Sequence, residues 1–250
     1  MTSADLLDCF TDTAAAVASA LRPVAGPERR ARTEKAGQYA IDLVADEAAL
    51  GVLGRAGVAV LSEESGWSGV PGAEVTVVLD PVDGSTNASR GIPYWSTSLC
   101  ALDGDGPLAA LVVNHATGEA TTAVRGEGAF RDGVALAPGQ VERVADALVV
   151  LSGEPAAWLG WKQFRALGSL ALTLCDVAAG TVDGLVDGYA RHAPWDYLGG
   201  LLACTEAGAV VADVHGRPLD EVGPDVHRQL LAGATPALLD ELRASLVPSQ

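Results

Sequence analysis

Basic side chains are scarce in this sequence: 16 lysines and arginines stand against 32 aspartates and glutamates, a formal net charge of −16. That balance argues against a nucleic-acid partner, because no basic patch would offset the repulsion of a duplex's phosphates. Long hydrophobic runs are missing too; no apolar stretch approaches the roughly 20 residues of a membrane-spanning helix. The N-terminus lacks a basic region, and Asp5, Asp8 and Asp12 interrupt its apolar positions, so no secretory signal is expected. Cysteine is sparse. Cys9, Cys100, Cys175 and Cys204 are far apart and form no CxxC pair, so they read as reduced, mostly buried thiols of a cytoplasmic protein. What remains is 49% hydrophobic and 19% charged, which excludes a disordered chain. Its 250 residues fit one large α/β unit or two closely joined halves.

Apolar periodicity predicts an amphipathic helix over residues 4–21, with Leu6, Phe10, Ala14, Val17 and Leu21 inward and Ser3 as its cap. A Pro/Gly/Arg segment from Pro23 to Arg32 breaks the pattern, and a second helix is expected from about Leu43 to Leu53. Val58–Leu61 and Val75–Leu79 are short β-branched runs that read as buried strands. Each is followed by carboxylates: Ser62-Glu63-Glu64-Ser65-Gly66 after the first, Asp80-Pro81-Val82-Asp83-Gly84 after the second. Two neighbouring strands ending in acids suggest one rim of a sheet, where α/β proteins place ligands. Strand-like segments continue at Ser96–Leu102, Ala109–Asn114 and Ala120–Val124. After Pro138 a strand is expected at Ala147–Leu151, a helix at Ser169–Ala179, a short strand from Leu185 and a helix after Trp195-Asp196 that Gly208 stops. The boundary between halves is placed at residues 138–146: 1–140 carries most of the acids, 141–250 carries Asp196 and the loop before it.

Asp80-Pro81-Val82-Asp83-Gly84-Ser85 has two readings. One is ordinary turn chemistry. The other is a metal and phosphate site, in which Pro81 turns the chain so that two carboxylates and the Val82 carbonyl face one point. Gly84 then allows close approach, and Ser85-Thr86-Asn87 opens a helix whose N–H groups suit a phosphate. Glu63 and Asp196 tip the balance toward the site, although Asp196 at a helix start also has a capping role open to it. Four carboxylates at Glu63, Asp80, Asp83 and Asp196 would repel one another without cations. Two metals about 3.5–4 Å apart would neutralise them, clamp a phosphate and activate a water. Hard oxygen ligands favour Mg²⁺ or Mn²⁺ over zinc.

Glu63-Glu64, Asp80-Pro81-Val82-Asp83-Gly84-Ser85-Thr86-Asn87 and Trp195-Asp196 resemble the three signatures of the inositol monophosphatase family. Lys35 with Asp42-Leu43-Val44 resembles its N-terminal element, Thr117–Phe130 its central hairpin, and Arg165–Ala171 through Gly184 the segment before its last metal ligand. The resemblance implies an α+β fold, a layered αβαβα sandwich, and a homodimeric, lithium-sensitive, Mg²⁺-dependent phosphatase of a small phosphorylated metabolite. It implies Glu63, Asp80, the Val82 carbonyl, Asp83 and Asp196 as metal ligands, with Gly84, Ser85 and Thr86 cradling the phosphate. Ser85 would orient the attacking water with an upstream aspartate. Asp46 is the candidate for that aspartate, Lys35 for the nearby base, and Glu64 supports them from behind. Here the sequence departs from the family's Asp-Leu-Val-Thr, two residues, Asp: Asp42-Leu43-Val44-Ala45-Asp46 is shorter and lacks the threonine. Tyr189 stands where inositol-specific members carry glutamate, so inositol 1-phosphate is not assumed. Arg191 is the candidate contact to an anionic or sugar moiety, and His192 beside it has no assigned role. Sugar phosphate, histidinol phosphate, fructose 1,6-bisphosphate and 3′-phosphoadenosine 5′-phosphate remain alternatives, as does a non-catalytic metal-binding regulator.

Overall fold

A computed structural model describes residues 1–155 and 158–246. Helix α1 (Ser3–Leu21) buries the expected stripe of Leu6, Phe10, Ala14, Val17 and Leu21. Its cap is Thr2 rather than Ser3: Thr2 Oγ1 accepts the Asp5 N–H at 3.2 Å while Asp5 Oδ2 accepts the Thr2 N–H at 2.9 Å. A short 3₁₀ turn (Gly26–Arg30) follows, and α2 (Ala40–Leu53) begins three residues before the predicted Leu43.

The first sheet has eight strands: β1 (Ala59–Ser62), β2 (Gly66–Gly69), β3 (Thr76–Asp83), β4 (Ser96–Asp103), β5 (Gly106–Asn114), β6 (Ala120–Val124), β7 (Gly128–Arg131) and β8 (Val134–Ala135). Their spatial order is β2-β1-β3-β4-β5-β6-β7-β8, antiparallel except for the β1–β3 pair. The six-residue helix α3 (Ser85–Arg90) sits between β3 and β4. The second sheet, in order β10-β9-β11-β13-β12, is built from β9 (Leu148–Ser152), β10 (Gln163–Arg165), β11 (Gly184–Asp187), β12 (Val210–Asp213) and β13 (Leu230–Gly233). Helices α4 (Leu170–Ala178) and α5 (Pro194–Ala207) come from this half of the chain, and α6 (Pro236–Leu246) closes it.

The buried residues form layers. Phe10, Val17 and Leu53 of α1 and α2 pack on one face of the first sheet with Val77, Leu79 and Leu111. On its other face, Val78, Cys100 and Val112 meet Leu174, Leu198 and Ala203 of α4 and α5, and the same cluster reaches Leu185 and Leu230 of the second sheet. Leu238 and Leu242 of α6 cover the far face of that sheet with Val149 and Leu231. The order is helix, sheet, helix, sheet, helix, an αβαβα sandwich whose central strands are buried while β2, β8 and β10 lie exposed. No helix among the described residues is long and apolar enough to cross a membrane. Cys100, Cys175 and Cys204 are buried free thiols, and Cys9 is half-buried.

The central hairpin expected at Thr117–Phe130 is β6 with β7, whereas the exposed strands β2, β8 and β10 were not anticipated from sequence. Their short or polar runs (Gly-Trp-Ser-Gly in β2, Gln-Phe-Arg in β10) lack the apolar signal that marks a buried strand.

Candidate metal centre

The parallel pairing of β1 with β3 sets Ser62 opposite Leu79, so the next residues, Glu63 and Asp80, leave adjacent strands side by side at one rim. The Glu63 N–H donates to the Leu79 carbonyl at 3.1 Å, which extends that register by one residue. Beyond Asp80 the strand does not turn, as Pro81 suggested it would; β3 runs on to Asp83. A bulge does the work instead. Asp80 pairs with Ser98 and Asp83 with Ser96, so three steps on β3 match two on β4. Without it, residues three apart on a strand face opposite sides of the sheet. Asp80 Oδ1 accepts the Val82 N–H at 2.9 Å, and Thr97 Oγ1 donates to the Pro81 carbonyl at 2.8 Å, fixing the bulged segment.

Gly84 then makes the turn, at φ 88°. A Cβ there would lie 2.9 Å from the Gly168 carbonyl oxygen and 3.2 Å from that of Tyr94, so both conformation and space require glycine. Ser85 and Thr86 open α3, whose six residues are too few for a sizeable macrodipole; direct N–H groups, rather than a helix dipole, are what a phosphate would meet. Ser85 makes no side-chain hydrogen bond among the described residues, whereas the Tyr39 hydroxyl reaches Thr86 Oγ1 at 3.4 Å.

Asp196 arrives from the other half of the chain. It lies inside the first turn of α5, and Ala193 holds the cap position. Asp196 Oδ2 accepts the Ala193 N–H at 2.7 Å, so a capping bond and a place in the acidic group coexist. Gly199 and Gly200, one turn on, let α5 come close enough to reach the rim. A Cβ at Gly199 would lie 2.7 Å from Ser98 Oγ, and one at Gly200 would lie 2.4 Å from Leu174 Cβ.

The result is a trio, Glu63, Asp80 and Asp196, with one carboxylate oxygen of each within 4.8 Å of the others. Asp83 adjoins the trio but is anchored elsewhere: its Oδ2 accepts Ser169 Oγ at 2.5 Å and the Ala171 N–H at 2.8 Å, at the start of α4. Burial, then Asp196 and Glu64, pushes Glu63 well above the usual carboxylate range. Burial, then Glu63, Asp83 and Asp196, does the same to Asp80. Burial and Asp196 raise Asp83 to about 6, against the lowering pull of Ser169 and Ala171. Such mutual repulsion, with no lysine or arginine among its causes and only the His192 imidazole as a basic neighbour, is the electrostatic signature of a cation site. The all-oxygen donor set fits a hard divalent ion.

Around the trio, Glu64 Oε2 is held by the Gln38 amide and lies 3.5 Å from Lys35 Nζ. The predicted Asp46 is not brought to this group. Its Oδ1 accepts Ser62 Oγ at 2.5 Å, one turn further along α2 than expected, because the helix starts at Ala40. The carboxylate in the first turn is Asp42. It is buried, accepts the Tyr39 N–H at 2.7 Å through Oδ2, and has no partner for Oδ1 among the described residues. Burial, followed by the charge of Glu64, raises its pKa to about 7.

A cavity of about 360 Å³ opens beside Asp83, lined also by Asn87, Ser152, Gly168, Tyr189 and His192. Tyr189 is 63% exposed at its mouth. Ala190 follows at φ 55°, held in that left-handed conformation by Asp187, whose Oδ1 accepts the Tyr189 and Ala190 N–H groups at 2.7 and 3.3 Å. Arg191 is exposed, does not line the cavity and has no hydrogen bond or ion pair among the described residues. His192 takes the inward place instead. Its Nε2 is 2.9 Å from Ser152 Oγ and its Nδ1 3.3 Å from Asp196 Oδ2. Burial opposes its protonation, but Asp196 and then Asp187 outweigh that and hold its pKa above the ordinary value. Sequence reading assigned no role to Ser169 or His192, because their bonds to Asp83 and Ser152 join residues far apart along the chain.

The chain matches the inositol monophosphatase family over residues 4–250. It is 35% identical over 184 residues to a protein of Thermococcus kodakarensis named fructose-1,6-bisphosphatase/inositol-1-monophosphatase, covering 72% of this chain and 71% of that one. It is 30% identical over 234 residues to the Nus factor SuhB of Pasteurella multocida, covering 81% and 84%. A solved structure from Pyrococcus horikoshii, described as having similarities to inositol-1 monophosphatase, superposes with a TM-score of 0.89 at 23% identity, over 98% of this chain and 100% of that one. With the signature residues converging on one rim of the same layered fold, this chain belongs to the inositol monophosphatase family.

Proposed function

We propose that the protein is a Mg²⁺-dependent, lithium-sensitive phosphatase of a small phosphate monoester, acting in the cytoplasm as a homodimer, with Mn²⁺ as the alternative ion. As a member of its family the chain is a phosphoric monoester hydrolase. The observation that carries the metal reading is the trio of Glu63, Asp80 and Asp196, whose oxygens lie within 4.8 Å of one another. These three, with Asp83 and the Val82 carbonyl, would hold the ions. When bound, divalent cations would neutralise the carboxylates, draw charge from the phosphoryl group and activate the attacking water. The chain's own groups do the rest. Gly84, Ser85 and Thr86 receive the phosphate, Ser169 and Ala171 hold Asp83 in place, and His192 steadies Asp196. Tyr189 and His192 face the cavity beside Asp83, which suits a leaving group with hydroxyls rather than a second acid-binding glutamate contact.

We propose Asp42, rather than Asp46, as the carboxylate that works with Ser85, because Asp42 Oδ1 is buried without a partner among the described residues, whereas Asp46 bonds Ser62 through Oδ1. Asp42→Asn is expected to lower kcat by about 100-fold or more with little change in melting temperature. Asp46→Asn is expected to keep kcat within about threefold and to destabilise by roughly 1–2 kcal/mol through the weakened bond to Ser62. The reverse ranking in a steady-state assay would reinstate Asp46.

The substrate test is a panel with Mg²⁺: inositol 1-phosphate, sugar monophosphates, histidinol phosphate, fructose 1,6-bisphosphate and 3′-phosphoadenosine 5′-phosphate. Phosphate release is expected from at least one monoester of a polyol, sugar or histidinol. Release from none would favour the non-catalytic reading, which the SuhB relative keeps in view. Direct nucleic-acid contact finds no support in a chain of net charge −16.

A further inference from the structure

We propose that the cavity between the 3₁₀ turn and α3 is a second anion site, distinct from the catalytic centre, that takes a diphosphate group. The cavity measures about 550 Å³ and is lined by Gly26, Pro27, Arg29, Arg30, Ser89, Arg90 and Gly91. No acidic residue lines it, although the chain carries 32 of them. Lys35, Arg125, Arg131, Arg217 and Arg228 each have a carboxylate partner. Arg29, Arg30 and Arg90 have no hydrogen bond or ion pair among the described residues, yet they gather on one cavity. In a chain of net charge −16, three guanidinium groups converge here with no acidic residue in the lining. Their convergence without a partner leaves a concentrated positive site.

The geometry narrows the ligand. Arg29 is half-buried and lies over the Trp95 ring at 6.0 Å, so its direction is partly set before anything binds. Arg30 comes from the same turn, and Arg90 from the last residue of α3. Each guanidinium fork can take two phosphate oxygens. Three forks on two elements match two linked phosphates better than one carboxylate or one orthophosphate. The site is separate from catalysis because it shares no lining residue with the cavity beside Asp83 and contains none of the acids. Helix α3, which begins at Ser85 and ends at Arg90, links the two.

The test is isothermal titration of the intact protein in EDTA at pH 8 and low ionic strength, where the metal-free acidic centre repels anions. Pyrophosphate is expected to saturate one site on the wild type and to bind at least tenfold more weakly to Arg30→Gln and to Arg90→Gln. Both side chains are exposed, so either variant alone keeps the comparison valid if the other misfolds. ADP forms the second arm. If it binds and is lost in the same variants, the diphosphate group of a nucleotide is accepted; if only pyrophosphate binds, the site takes the free anion. Absence of saturable pyrophosphate binding, or equal binding by wild type and both variants, would overturn the proposal.

Discussion

Asp80→Asn is expected to lower phosphatase turnover by at least ~10³-fold, about 4 kcal/mol of transition-state stabilisation, and at the same time to raise the melting temperature of the metal-free protein at pH 8. Asp80 is 1% exposed and packed against Glu63, Asp83 and Asp196, all of the same sign. Its Oδ1 accepts the Val82 N–H, a bond that an asparagine carbonyl makes equally. The substitution therefore removes a charge from a repulsive cluster while changing neither volume nor backbone bonding. Relief of that repulsion is worth on the order of 1–3 kcal/mol. Asp83→Asn separates function from fold differently. Turnover should fall as far, but the charge-assisted bonds from Ser169 and Ala171 at the start of α4 weaken, so the metal-free protein should not gain stability. Differential scanning calorimetry in EDTA alongside a phosphate-release assay reads both quantities. Asp80→Asn activity within tenfold of wild type would remove Asp80 from the metal centre, and a lowered metal-free melting temperature would contradict the repulsion.

The metal-free protein is expected to melt higher at pH 5 than at pH 8, and millimolar Mg²⁺ to reverse that order. Burial raises Asp83 from 3.8 to about 6 and Asp42 from 3.8 to about 7. A carboxylate whose folded pKa is raised favours the folded state fully below its unfolded value. That contribution is lost as pH climbs through the folded value, because the folded chain must then ionise a group that the unfolded chain ionises easily. The loss falls between about pH 4 and pH 7–8, and its size is on the order of 2–4 kcal/mol. For a chain of this length that corresponds to roughly 5–15 °C. His192, held above its ordinary value, acts in the same direction. Asp213 acts oppositely: despite burial, its bonds from Arg217 hold it well below the usual range, so its contribution disappears only in stronger acid. Metal-free stability should therefore peak near about pH 4. A cation binds only the ionised, folded cluster, so with Mg²⁺ present stability rises toward pH 8 by linkage. A melting temperature that rises with pH in EDTA, or ignores Mg²⁺ at pH 8, would argue against a preformed acidic centre.

Much of this was legible from one chain. The residue types at Glu63, Asp80, Asp83 and Asp196 name the chemistry, and the Leu6–Leu21 stripe, the β-branched runs and the Ser169 and Gly208 boundaries outline most helices and buried strands. Such signals are local: periodicity of 3.6 or 2, a cap, a glycine stop. They end where partners lie far apart along the chain.

Sequence alone pointed to a phosphatase of one family and proposed four carboxylates for its metal site. The tertiary structure decided how they meet. A bulge against β4, rather than a turn at Pro81, puts Asp80 and Asp83 on one side, because register is set by the neighbouring strand. Glycines at 199 and 200 bring Asp196 across from the other half of the chain, because only close packing lets α5 reach the rim. An earlier start to α2 puts Asp42 rather than Asp46 in its first turn, because a three-residue shift nearly completes a helical turn. The arginines around α3 gather from two separate segments, a grouping that charge composition hides in a chain so acidic overall.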